Sequence, residues 1–259
     1  MLFRSTEPVN NFVYADIHGE FGYRYRGRIP TRDSANAWTP VPGWNGAHEW
    51  DGQIPFEELP QSRNPDTGWV VTCNNPPTTA DYPHYINTYF APDTRARRIT
   101  ARMQNIAPGT ATVEDMASIH GDRESIPGAA LAGRVAALAL TDPDAQLGAT
   151  LLRDWDGRMD RSSVAATVYA AARTQIYVRV IQHALGDMAR EGLSAVSGIG
   201  RGAATHLGQL GARAMTAMAA DDPTLLPPGV TWPDAIEAAL AGGVRMLRER
   251  LGEIGRAHV

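Results

Sequence analysis

The sequence predicts an α+β fold: a β-rich first third followed by a mainly helical region. Two observations point to it. Through residues 1–100, short aromatic and β-branched runs alternate with Gly, Pro, Asn and Asp clusters, the pattern of strands and hairpins. From Arg95 onward, Ala- and Leu-rich segments with apolar residues at helical spacing follow one another between cap residues. The expected division is therefore 1–100, strand-rich, and 101–259, helical, with no internal repeat.

Asn11–Ala15 reads as a strand, Asp16–Glu20 as a tight turn and Phe21–Arg28 as the returning strand, with Phe21, Tyr23 and Tyr25 on one face. Thr31–Pro42 is loop, Gly52–Phe56 extended, Glu57–Pro60 a short helical turn and Gln61–Gly68 a surface loop. Trp69–Cys73 has the composition of a buried strand. Asn74 and Asn75 sit where it leaves the core, before Pro76 and Pro77, which cannot continue a ladder. A side-chain amide at such a strand end is placed to donate a hydrogen bond into a cleft; plain turn chemistry is the other reading.

Helices are expected at Arg95–Asn105, at Val113–Asp122 with Thr112 as N-cap, at Ala129–Leu140, and at Asp144–Trp155 opened by Asp142-Pro143. A long helix is expected over Ser162–Leu185, with Val164, Val168, Ala171, Gln175, Val178 and Ile181 inward. The last opens at Thr231-Trp232-Pro233-Asp234 and runs to Leu251, weakened in its middle by Gly242-Gly243.

Composition excludes several function classes. The net charge of -4 implies no nucleic-acid surface, and no run of 18 apolar residues is present to span a membrane. All 24 basic residues are Arg, which suits carboxylate recognition better than Lys would. A single cysteine, Cys73, excludes an internal disulfide and a cysteine-cluster metal site. The seven histidines are scattered and none forms a His-Glu-x-x-His motif. His120-Gly121-Asp122 reads as a structural helix end, and Gly198–Gly202 as an inter-helix segment rather than a phosphate loop. No Gly-x-Ser-x-Gly elbow occurs, and Cys73 reads as a small buried hydrophobe. Both termini read as cuts within a longer chain.

Several motifs together resemble the β-chain of penicillin acylases. They are Asn11–Asp16 with Gly19 and Gly22-Tyr23, Gly27–Arg32, Pro42–Gly46, Glu49-Trp50, Gly52, Ile54–Pro60, Asn64-Pro65, Gly68–Asn75 and Arg95–Ile99. The helical half, at Met116–Ser125 and Leu152–Met159, is similar more loosely. The resemblance implies part of an αββα N-terminal-nucleophile hydrolase, in which a serine freed by self-cleavage attacks an amide carbonyl with its own α-amino group as base. By the same resemblance Asn74 is the oxyanion-hole side chain, with Asn75 the alternative, and Arg98 orders the site, with Arg95 the alternative. It also implies an N-acyl amide substrate such as the acyl side chain of a β-lactam, partners in an α-chain and the rest of the β-chain, and no cofactor held by this chain. Family members often hold a structural calcium through residues that lie mostly upstream of these motifs, and are usually periplasmic or secreted. No position here matches the family's nucleophilic serine, so the chain alone is expected to be inactive. A non-catalytic subunit or binding module that keeps the scaffold is the alternative function.

Overall fold

A computed structural model of the chain describes residues 9–37, 39–190 and 201–252. Met1, Leu2, Ser5, His258, residues 198–200 of the glycine-rich segment and the C-terminal residues 255–259 lie outside the described residues. The chain forms two compact units, Met1–Ile119 and His120–Val259. Together they are α+β, with a small sheet and, among the described residues, seven α-helices.

In the first unit β1 (Asn10–Ala15) and β2 (Phe21–Arg26) form the expected hairpin, with Val13 opposite Tyr23. The Asp16 carboxylate closes the turn by accepting from the N–H groups of His18, at 2.8 Å, and Glu20, at 3.0 Å. A third strand, β3 (Gln61–Arg63), pairs antiparallel with β2 and gives the order β1-β2-β3. The Asn64 side chain extends this ladder by accepting from Phe21 N–H at 2.9 Å.

Two sequence expectations are corrected here. Gln61–Gly68 is not loop throughout, because its first residues make β3. Trp69–Cys73 forms no strand: its apolar residues are half-buried and only Cys73 is buried. Apolar content gave that segment its strand-like appearance, but no neighbouring backbone is placed to make a ladder with it among the described residues.

The core of this unit is small: Ile29, Ile54, Leu59 and Ile86, with Tyr25, Phe56, Tyr82 and Phe90 packed on it. The short turn at Phe56–Glu58 is clamped by Arg24, whose guanidinium lies 3.9 Å from the Phe56 ring centre and donates to Phe56 O at 2.5 Å. Trp44 and Trp50, prominent in the sequence, are exposed. The unit ends with α1 (Thr94–Gln104) and α2 (Val113–His120), where Thr112 and Asp115 exchange cap hydrogen bonds as expected.

The second unit packs α3 (Ile126–Ala136), α4 (Pro143–Leu152), α5 (Val164–Leu185), α6 (Arg201–Ala220) and α7 (Trp232–Leu251) around one apolar core. Starts are set by caps: Ser125, Asp142 and Ser163 accept from helix N–H groups, and Thr231 forms a full capping box with Asp234. α5 is central and touches α3, α4, α6 and α7. Because helices pack around it, its buried arc is wider than one stripe. Ala172, Ile176 and Val180 are buried with Val168, Ala171 and Ile181, whereas Val164 is exposed and Val178 half-buried. Gly242-Gly243 does not break α7. It allows α7 to approach α5 closely: a Cβ on Gly243 would lie 3.0 Å from Ala172 N and 3.3 Å from Ala171 Cβ. α4 and α7 are also joined by charge, Arg248 to Asp144 at 2.8 Å and Arg245 to Asp142 at 3.3 Å. Glu237 accepts from Asp142 N–H at 2.7 Å.

Candidate active site

The site candidate lies wholly in the first unit, on the chain between β3 and α1. Cys73 is buried, Asn75 half-buried and Asn74 exposed. Asn74 has φ +60°, a left-handed conformation that asparagine tolerates better than most side chains do. Its backbone is held on both sides. Ala91 N–H donates to Asn74 O at 2.8 Å, and Cys73 N–H donates to Asn75 Oδ1 at 3.1 Å.

Arg95, in the first turn of α1, reaches this turn. One guanidinium nitrogen donates to Cys73 O at 2.5 Å and to Asn74 Oδ1 at 2.9 Å. A guanidinium has no acceptor, so the Asn74 atom facing it must be the amide oxygen. That assignment fixes the rotation of the Asn74 amide and leaves Nδ2, with its two N–H groups, directed away from Arg95. The result is an exposed amide donor on an anchored backbone, oriented by a cation. Such a group can stabilise negative charge developing on an oxygen at the surface of a cleft. The Asn75 amide is differently engaged: Oδ1 holds Cys73 N–H and Nδ2 donates to Pro76 O at 3.2 Å.

Arg98 lies about one turn further along α1, half-buried. Arg95, Arg97 and Arg98 are equivalent as letters in a motif, but helical geometry sends successive side chains about 100° apart. The structure places Arg95, at the start of the helix, on the Asn74 turn.

Next to this turn is an open cleft of about 570 Å³, lined by Tyr23, Pro60, Pro76, Pro77, Tyr82 and Pro83 among others. No sequence motif announced it, since its walls come from β2, β3 and the chain after Asn75. Tyr23 donates to Pro77 O at 3.3 Å. Burial, with neighbouring Tyr25 and Tyr82, pushes its pKa up to about 12, so it stays a neutral donor. Tyr82 donates to Glu58 O at 2.9 Å, and His84 Nε2 lies 2.5 Å from Glu58 Oε2. Among the described residues no group of three or more His, Cys, Asp or Glu side chains is placed to hold a metal ion. Asp122 turns its carboxylate to the N–H of Glu124, at 2.9 Å. No described helix is long and apolar enough to cross a membrane.

The family profile for penicillin amidase matches residues 2–259. The chain belongs to the penicillin amidase family. Among curated proteins it is similar to the penicillin acylase 2 proenzyme of Pseudomonas sp. (strain SE83), 42% identical over 166 residues, which is 63% of this chain and 21% of that protein. It is similar to penicillin G acylase of Escherichia coli, 42% identical over 74 residues, 28% of this chain and 8% of that one. It is also similar to acyl-homoserine lactone acylase QuiP of Pseudomonas aeruginosa, 30% identical over 178 residues, 62% of this chain and 20% of that one. The chain thus spans about a fifth or less of the length of these relatives. Among solved structures, a thermostable penicillin G acylase from Alcaligenes faecalis superposes with a TM-score of 0.69 at 20% identity, covering 95% of this chain and 48% of that one. The fold is accordingly part of the N-terminal-nucleophile hydrolase fold of the acylases, and the family is one of amide-cleaving acylases.

Proposed function

We propose that this chain supplies the oxyanion-stabilising side of an acylase that hydrolyses a linear amide, with Asn74 as the donor and Arg95 as the residue that orders it. The supporting observation is the Asn74 amide, anchored through its own backbone and engaged by Arg95 at Oδ1, which leaves Nδ2 as the donor end. In the reaction a serine hydroxyl, at the N-terminus of the acylase β-chain, attacks the substrate carbonyl and its α-amino group takes the proton. Nδ2–H of Asn74 donates to the oxyanion as the carbonyl becomes tetrahedral. Collapse expels the amine, which takes the proton back from the α-ammonium, and leaves an acyl-enzyme. Water, giving its proton to the α-amino group, then attacks through a second oxyanion held in the same way. Collapse of that second oxyanion releases the acid and restores the serine hydroxyl with that proton. The serine, the second oxyanion donor, the α-chain and the rest of the β-chain come from outside these residues, and no step is assigned to a metal. The proposed substrate class is an N-acyl amide, such as the acyl side chain of a β-lactam or an acyl-homoserine lactone, in line with the names of the relatives.

The test uses the purified 259-residue chain beside the product of the complete coding sequence. Release of free amine from penicillin G and from an acyl-homoserine lactone is followed in each. The complete product is expected to hydrolyse at least one of them and the chain alone neither. Comparable turnover by the chain alone would overturn the proposal.

A further inference from the structure

We propose that Asn75 is a positioning residue for the reaction: its side-chain oxygen pins the Cys73 N–H and so holds the turn that aims Asn74, where the residues that would close a β-turn are prolines. The proposal rests on the reading of Asn74 as oxyanion donor. A β-turn is ordinarily closed by a hydrogen bond from the N–H of its fourth residue to the C=O of its first. For turns beginning at Cys73 and Asn74 those fourth residues are Pro76 and Pro77, neither of which has an N–H. Arg95 and the Ala91 N–H fill the two carbonyls left open, and the Asn75 side chain pins the turn at the Cys73 N–H. Asn75 Oδ1 takes Cys73 N–H at 3.1 Å, and Arg95 takes Cys73 O at 2.5 Å. Ala91 N–H takes Asn74 O at 2.8 Å.

Among these contacts Asn75 has the local role. Cys73 is 6% exposed, so without the Asn75 oxygen its N–H would be a buried donor lacking this acceptor. The turn would relax to satisfy it. Asn74, held at φ +60°, would then fall toward a more ordinary conformation and carry its amide away from the oxyanion. One N–H of Asn75 Nδ2 is spent on Pro76 O at 3.2 Å, which ties the side chain to the same turn.

Cys73 is the one cysteine of the chain, so selective labelling with nitrogen-15 cysteine yields a single backbone amide signal, at the position of interest. In the chain, Asn75→Ala is expected to shift that signal and speed its hydrogen exchange about tenfold or more, while Asn75→Asp, which keeps the acceptor, holds it within about threefold of the parent. In the complete acylase, kcat per titrated active site is expected to fall about tenfold in Asn75→Ala with KM within about twofold. Asn75→Asp is expected to recover at least about threefold of that loss. A purely structural role would lower the melting temperature and the yield of active sites but not kcat per site. Unchanged exchange of the Cys73 amide in Asn75→Ala, unchanged kcat, a loss expressed in KM, or no recovery by Asn75→Asp would each overturn the proposal. Asn74→Ala serves as the control: if it leaves kcat unchanged, the oxyanion reading fails and the positioning role falls with it.

Discussion

Replacing Gly243 with alanine places a methyl group between α7 and α5 at the closest point of their contact. The new Cβ would lie 3.0 Å from Ala172 N, 3.2 Å from Ala171 C and 3.3 Å from Ala171 Cβ. Two of these atoms are backbone in the middle of α5, so the neighbour can yield only by moving the helix. Gly→Ala in a helix interior gains about 0.8–1 kcal/mol from propensity. Overpacking a core costs roughly 1–3 kcal/mol, and contact with backbone puts this site toward the upper end. The expected result is a net destabilisation of about 1–2 kcal/mol. Gly133, in α3, is the internal control, since a Cβ there meets nothing within 4 Å and the residue is exposed. Gly133→Ala should stabilise by about 0.5–1 kcal/mol. The assay is urea unfolding of the chain followed by far-ultraviolet circular dichroism. A thermal scan adds a second measure, at about 2–4 °C per kcal/mol for a chain of this size. Opposite signs for the two glycines are predicted. Stabilisation by Gly243→Ala would refute the close approach of α5 and α7.

Two further outcomes follow from the charge pattern and from the site. The carboxyls of Asp142, Asp222, Asp234 and Glu237 are held below their ordinary range: Asp142 mainly by the Ala145 N–H, Asp222 by the Thr224 side chain, Asp234 by the Thr231 side chain, and Glu237 by the Asp142 N–H. A depressed folded pKa stabilises the fold above the unfolded value, about 3.9 for Asp and 4.3 for Glu, and that stability is lost as pH falls through the folded pKa. The urea midpoint of the chain should therefore decline on acidification below about pH 5, and less so in Asp142→Asn; a midpoint that rises toward pH 4 would contradict this. Arg95→Lys keeps the charge but not the rigid guanidinium whose terminal nitrogen donates to both Cys73 O and Asn74 Oδ1. In the complete acylase it should lower kcat about tenfold with KM within about twofold, and equal rates in variant and parent would remove Arg95 from the site.

The elements legible in the sequence were those with local causes. The β1–β2 hairpin follows from alternation plus an Asp turn, and α7 from Thr231, Pro233 and Asp234. The illegible ones were created by distant partners. β3 is three polar residues that become a strand only because β2 lies beside them. α6 had no counterpart in the sequence reading, because Gly202, Gly208 and Gly211 lower its propensity. Its Gly211 is there for packing, since a Cβ on it would overlap the Tyr177 ring. Asn74, the proposed oxyanion donor, was singled out by a motif and by the prolines that follow it. Its hydrogen bond to Arg95 was not legible, because three arginines crowd the start of α1 and the letters alone do not say which of them reaches Asn74. The tyrosine- and proline-lined cleft joins segments far apart in the chain, so no local pattern encodes it.

The most direct measurement is kcat of Asn74→Ala in the complete acylase, per active site titrated, on whichever of the two amides the parent cleaves. Removal of one oxyanion donor typically costs about 100- to 1000-fold in kcat, equivalent to roughly 2.7–4 kcal/mol of transition-state stabilisation. A fall of that size with KM within about threefold is predicted. A kcat within about threefold of the parent, with the enzyme folded and its active sites intact, would contradict the assignment of Asn74 as the oxyanion donor.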